Sequence, residues 1–130
     1  MFAGLDGKTS TVPEINKVTY ASKLSDEPVL VQTFSVAGKE ESEVKNAIWK
    51  SATKRSWTVD ATDSGDIEAK LKHRGSESTL TFKVADETVK IYSVSYKINK
   101  KTGERITRSE PEGWIRNLHK DILVNLGMLP

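Results

Sequence analysis

The sequence predicts an α+β domain: an antiparallel sheet of four to six strands with two helices packed on one of its faces. Three observations carry this. The 130 residues are 36% hydrophobic, enough for one core and too few for two. Between Trp57 and Ile91 apolar and polar residues alternate in short runs separated by turn residues. Helical spacing appears only on either side of that block, so no strand–helix–strand repeat calls for a parallel sheet.

In chain order, Met1 to Val12 is rich in Gly, Thr, Ser and Lys without a period, and residues 1–14 read as a flexible leader to a single domain over 15–130. The leader lacks the apolar stretch of a secretory signal. Ile15, Val18, Tyr20 and Leu24 form a run that fits neither period. After the Asp26-Glu27-Pro28 turn, the β-branched run Val29 to Ser35 is a strand. Gly38 breaks it. Glu40, Glu41 and Glu43 then open a helix over about residues 40–54, because acids face the positive end of the helix dipole. Val44, Ala47, Ile48 and Ala52 are its apolar stripe, and Lys50, Lys54 and Arg55 gather at its end.

Trp57, Val59 and Ala61 begin the meander. A turn at Asp63-Ser64-Gly65-Asp66 leads to Ile67, Ala69, Leu71 and His73 on one phase, with Lys70, Lys72 and Arg74 on the other. A turn at Gly75-Ser76-Glu77 leads to Leu80, Phe82 and Val84; Ala85-Asp86-Glu87 leads to Val89 and Ile91. There the phase changes, since Tyr92, Val94 and Tyr96 point the other way. Either a bulge shifts the register, or the second half of this strand buries its opposite face. Asn99 to Glu104 is a polar loop, and Ile106 marks a short return. Ser109 or Glu110 caps the last helix with Pro111 in its first turn. Trp114, Ile115, Leu118, Ile122 and Leu126 form its stripe, and Gly127 closes it.

The composition excludes several chemistries. There is no cysteine, hence no disulfide, thiolate nucleophile or Cys-ligated metal. The two histidines, His73 and His119, have no Ser or Asp at a triad spacing. His119, beside Lys120 and Asp121, reads as a solvated helix position, and His73 as a strand-end residue with a wet edge. Asp60, Asp63 and Asp66 flank a turn and read as turn chemistry. No phosphate-binding loop or dinucleotide fingerprint is present, so the expectation is a non-enzymatic chain without cofactor or metal. No apolar run reaches the roughly 18 residues of a membrane span.

Charge is uneven: residues 1–69 carry 8 basic and 11 acidic groups, residues 70–130 carry 12 and 7. If both helices cover one sheet face, the other displays Lys70, Lys72, Arg74, Lys83 and Lys90 with Tyr92 and Tyr96. These seven are the candidate binding residues. Basic groups with an aromatic on an open sheet suit RNA, yet the aromatic pair of an RNP motif is missing, because Phe82 is on the inward phase. Trp57 and Trp114 read as core anchors; Trp49 lies beside its helix stripe.

The order of residues resembles a group of small, uncharacterised bacterial envelope lipoproteins. Ala47-Ile48-Trp49-Lys50 through Arg55-Ser56-Trp57 is similar to that group's helix and Arg-Gly-Trp-like step. Ser64-Gly65, then Ile67, Ala69, Leu71 and Arg74, are similar to its turn and Ile-x-Ala-x-Leu-x-x-Arg strand. Tyr92-Ser93-Val94-Ser95-Tyr96 and Trp114-Ile115, Leu118 and Ile122 match its later strand and terminal helix. The resemblance covers roughly residues 44–126. Ser56 stands where the group has Gly, Pro111-Glu112 where it has Tyr-Asn, and the Ser-x-x-Leu element after Tyr96 is absent.

The resemblance implies a periplasmic domain tethered by lipid on a Cys upstream of Phe2, binding or scaffolding another envelope component. The alternative from a different class is a cytoplasmic nucleic-acid-binding domain using the basic sheet face. A third, an inhibitor or ligand carrier, needs a concave apolar pocket near Trp49 or Tyr96.

Overall fold

The computed structural model describes residues 24–130. The expected leader and most of the ambiguous run from Ile15 lie outside the described residues. Strand β1 (Val29–Ser35) leads to helix α1 (Glu41–Lys54), then come β2 (Thr58–Ala61), β3 (Ile67–His73), β4 (Ser76–Ala85), β5 (Thr88–Ile98), β6 (Arg105–Arg108) and helix α2 (Glu112–Asn125). All six strands form one antiparallel sheet in the order β1-β5-β4-β3-β2. The expected α+β fold is the observed one. Strand β6 also pairs with β5, along Tyr96–Ile98, whereas β1 pairs with Thr88–Ser93 of that strand. The two short strands therefore share one edge of β5 end to end.

The meander forms because its turns supply the backbone each hairpin needs. The β3–β4 link is Arg74-Gly75, at φ 50° and 79°, and the β4–β5 link is Asp86-Glu87, at 54° and 59°. Both are two-residue turns with two positive φ values, which match the right-handed twist of the flanking strands. Glu87 has no glycine freedom, but it is tied down: its carbonyl accepts from the Val36 N–H at 2.8 Å and its carboxylate from the Gly38 N–H at 3.1 Å. That turn thus also holds the β1–α1 corner.

Both helices end alike. In α1 the Trp57 N–H bonds to the Ala52 carbonyl and the Ser56 N–H to that of Thr53. In α2 the Met128 N–H bonds to the Leu123 carbonyl and the Gly127 N–H to that of Val124. These are Schellman ends, whose C′ residue sits in the left-handed region. Gly127 is at φ 72°, and so is Ser56.

The helices cover one sheet face. Val44, Ala47, Ile48 and Ala52 of α1 and Ile115, Leu118, Ile122 and Leu126 beside α2 pack with Ile67, Ala69, Leu80, Phe82, Val89 and Ile91 of the sheet. Trp57 meets Trp114 edge to face, ring centres 5.7 Å apart. The start of α2 differs from expectation: its N-cap is Pro111 and the helix begins at Glu112. The Glu110 carboxylate is turned back to accept from Ser93 Oγ at 2.6 Å, so it does not cap the helix.

His119 corrects a second expectation. It is 5% exposed, its ring stacks on Phe34 at 4.0 Å, and Gln32 Nε2 lies 3.4 Å from its Nδ1. Four residues after Ile115 and three before Ile122, it falls in the middle of the apolar stripe. Its charged neighbours Lys120 and Asp121 disguised that spacing. Burial pushes its pKa down from 6.5 to about 4.

Candidate functional site

The open face of the sheet is built in ranks that cross the strands. Leu30, Tyr92, Thr81, Glu68 and Asp60 lie opposite one another in succession. Val94, Thr79, Lys70 and Thr58 form the next rank, and Thr33, Lys90 and Lys83 flank the first on its other side. Period-two alternation puts the β2–β5 members on the face away from the helices, and a register shift between Leu30 and Gln32 brings both Leu30 and Thr33 of β1 to the same face. In the first two ranks the aliphatic and aromatic groups sit towards β1 and β5, the hydroxyls on β4 and the charges towards β3. Leu30 is 36% exposed. Beside Tyr92 a shallow depression of about 310 Å³ is lined by Lys83, Asp86, Thr88 and Lys90.

Five of the seven candidate residues are accessible on this face, and acids offset much of their charge. Lys83 Nζ lies 2.7 Å from Asp66 Oδ2 and 6.0 Å from the centre of the Tyr92 ring. The hydrogen bond to Asp66 raises the Lys83 pKa. Lys70 approaches Glu68 at 3.7 Å, and Lys72 faces Glu77 across the β3–β4 ladder. Glu77 in turn accepts from Arg105 Nε at 2.9 Å, which, with Lys72 nearby, holds its carboxyl below the usual range. Lys90 lies directly opposite Lys83 and has no ion pair among the described residues. The Thr62–Asp66 turn is closed by its own side chains, with Ser64 Oγ donating to Asp66 and Thr62 Oγ1 accepting from the Asp66 N–H. The turn-chemistry reading fits Asp66, whereas Asp60 lies in β2 opposite Glu68.

Arg74 is placed elsewhere, and Tyr96, in line with Lys72 and Glu77 on this side of the sheet, is covered. Arg74 sits in the β3–β4 turn and borders a cleft with His73, Pro111 and Trp114, at the helix end of the sheet. It belongs to a different surface from Lys70 and Lys72, because the two-residue turn rotates the chain before the strand phase can continue. Tyr96 is 1% exposed. Arg105 stacks over its ring at 4.2 Å, and its hydroxyl donates to the Ser25 carbonyl at 2.8 Å. Its aromatic surface is already covered.

The phase change in β5 has a definite form. The β4–β5 ladder runs without a register shift from Ser76–Lys97 to Ala85–Thr88, so no bulge interrupts it. The second alternative holds. Inward positions beyond Ile91 are taken by Ser93 and Ser95, and the opposite side buries Tyr96 instead. Ser93, Ser95 and Ser78 are 0–1% exposed and linked: Ser78 Oγ to Ser95 Oγ and Ser95 Oγ to Ser93 Oγ are each 2.7 Å. The chain continues from Ser93 to Glu110, whose carboxylate is 3.3 Å from Arg108 Nη2.

Arg108 closes the seam between β1 and β6. Its Nη1 donates to the carbonyls of Ser25 and Glu27 at 3.0 and 2.8 Å, and Nη2 to the Ser93 carbonyl at 3.1 Å. A guanidinium supplies donors to edge carbonyls that a continuous strand would have paired. Sequence reading missed this cluster. Its one signal was the Ser93-x-Ser95 spacing, which places two hydroxyls on the core phase of a strand. No member offers an exposed nucleophile, and the arrangement serves to hold backbone segments together.

Trp49, on α1, is 41% exposed and borders a shallow depression with Lys50 and Lys54. No family model, curated protein or solved structure matches the chain.

Proposed function

We propose that this chain is a non-enzymatic binding module, the globular domain of a bacterial envelope lipoprotein, which engages a protein partner through its open sheet face. The observation that carries the binding reading is the rank Leu30–Tyr92–Thr81–Glu68, flanked by Val94 and Thr79. Apolar, hydroxyl and charged groups lie side by side on a rigid sheet, the mixture that protein surfaces recognise. Tyr92 is the anchor, since an aromatic ring with a polar tip gives much contact for little ordering entropy. Lys90, which makes no ion pair among the described residues, supplies charge on one side.

The periplasmic, lipid-tethered address rests on the residue order from Ala47 to Ile122. Charge pairing of Lys70 and Lys83 with acids counts against the nucleic-acid alternative, because a phosphate backbone binds in proportion to the cations free to neutralise it.

The test is a photocrosslinking amino acid placed at Val94 or Thr79 in the full-length protein in its native host. The expected product is a crosslink to one envelope protein, lost with Tyr92→Glu and retained with Arg74→Glu. Absence of any crosslink, or a crosslink that ignores Tyr92→Glu, rules the reading out. Palmitate labelling of the same protein tests the tether separately: an unlabelled protein in the cytosolic fraction discards the lipoprotein address.

A further inference from the structure

The helix layer carries a second surface, on the side opposite the open sheet face. In α1 the buried residues are Val44, Ala47, Ile48, Ser51 and Ala52. Trp49 follows Ile48 by one position, a rotation of roughly 100° about the axis, and is turned outward. It is 41% exposed, as is Val124 on α2. Two depressions flank this part of α1. One of about 380 Å³ lies between the helices and is lined by Ser51, Arg55, Asp121, Val124 and Asn125; one of about 710 Å³ lies beside Trp49 and Thr53. Lys50 and Lys54 border both, so the two form one continuous surface.

The charges on this surface are of two kinds. Arg55 is engaged by Asp121 through both Nε and Nη2, and that hydrogen bonding raises the Arg55 pKa further. Asn125 Nδ2 donates to Ser51 Oγ at 2.8 Å. The directional groups of the inter-helix cleft are thus already used on each other. Lys50 and Lys54 have no ion pair among the described residues, which leaves two flexible ammonium groups around an exposed indole.

We infer that this surface, Trp49 with Lys50 and Lys54 and the neighbouring Val124, docks the domain on an anionic phospholipid bilayer. Tryptophan favours the headgroup level of a membrane, where its ring is apolar and its N–H meets water. Lysines beside it reach anionic headgroups while their stems cover apolar surface. A free phosphate fits less well, because the guanidinium that would fork around it is held by Asp121. A protein partner also fits less well, because one indole and one valine beside two lysines do not make the desolvated centre that such an interface needs. Docked this way, the domain presents its open sheet face away from the bilayer. The inference uses the opposite layer from the proposed partner surface and does not require a lipid tether.

The test uses the untethered chain with vesicles of phosphatidylcholine alone or mixed with phosphatidylglycerol. At low salt the chain sediments with the anionic vesicles and not with the neutral ones. Lys50→Gln with Lys54→Gln weakens partitioning roughly thirty-fold, the change that two lysines near an anionic surface supply. Brominated acyl chains quench the tryptophan emission, and Trp49→Phe removes that quenching while the circular dichroism is unchanged. Lys70→Gln with Lys90→Gln, on the other face, leaves partitioning as it was. The inference is overturned by no preference for anionic vesicles, or by unquenched Trp49. It also fails if loss follows only the sheet-face pair, if free phosphate displaces the vesicles, or if lipid-free sedimentation shows a dimer that Trp49→Glu dissociates.

Discussion

Along β5, the first half, paired with β1, turns Val89 and Ile91 into the aliphatic core, whereas the second half, from Ser93 at the end of the β1 ladder to the β6 pairs at Tyr96–Ile98, turns Ser93 and Ser95 inward and buries Tyr96 on the opposite side. The first half is held by contact between apolar groups, which is non-directional and tolerates small shifts. The second is held by hydrogen bonds through three hydroxyls, a carboxylate and a guanidinium, each of which needs its partner in place. One continuous strand therefore crosses from a region where volume decides stability to one where geometry does. Tyr92 lies at the junction, on the open face, supported by both.

The largest expected effect separates these regimes at the aliphatic end. Phe82 is fully buried and lies opposite Ile91. Phe82→Ala should cost about 4 kcal/mol in urea unfolding, from lost transfer energy and the cavity left behind. At the other end, Arg108→Met removes a cation that is 1% exposed and takes the guanidinium away from the Glu110 carboxylate, which is 9% exposed. Breaking a buried pair in this way should cost roughly 3 kcal/mol. Arg108→Met with Glu110→Gln should recover part of that loss, because both charges of the buried pair are then removed together. A double variant no better than the single one would mean that the seam, and not the charge, is what matters.

His119 refines the comparison, because it is a polar residue set within the aliphatic end. Its folded pKa of about 4 lies below the ordinary 6.5, so between those values the unfolded chain binds a proton that the folded chain refuses. Stability is full above about pH 6.5 and falls as the pH drops towards 4, by up to about 3 kcal/mol. Urea midpoints measured across that range should follow this slope in the wild type and lose most of it in His119→Leu. An equal slope in both proteins would place the titrating group elsewhere.

The smallest effect lies outside both ends. Ser56 occupies at φ 72° the position that Gly127 fills in α2. Ser56→Gly should stabilise the chain by about 0.5–1 kcal/mol, since glycine enters the left-handed region without a Cβ penalty. A loss of stability on that change would mean that the Ser56 side chain makes a contact worth more than the strain.

Where burial comes from regular packing, the chain announced it. The stripe Val44, Ala47, Ile48 and Ala52 and the alternation Ile67, Ala69, Leu80, Phe82, Val89 and Ile91 each turned up on the face their period assigned. The same arithmetic placed Lys70, Lys72, Lys83, Lys90 and Tyr92 on the open face. It failed where a polar residue is buried. Nothing in the spacing of Arg108, Glu110 and Ser93 says that a guanidinium will bridge a seam, since that depends on two short strands meeting on one edge. His119 and Gln32 were misread or passed over because composition suggests solvent for both, and only the position of His119 within its stripe argued otherwise. Tyr96 looked like a binding aromatic for a similar reason: its cover comes from Arg105 and the distant Ser25 backbone.

The most direct measurement is amide hydrogen exchange on the wild type, Arg108→Met and Phe82→Ala. If the two ends of β5 are held by different means, Arg108→Met raises exchange selectively over residues 24–28 and 93–98. Val89, Ile91 and the α1 amides should stay within the modest change set by the global loss of stability, and Phe82→Ala should raise exchange across the whole sheet. Uniform loss of protection in both variants, with no excess at 93–98 in Arg108→Met, would contradict the account and make β5 a single cooperative element.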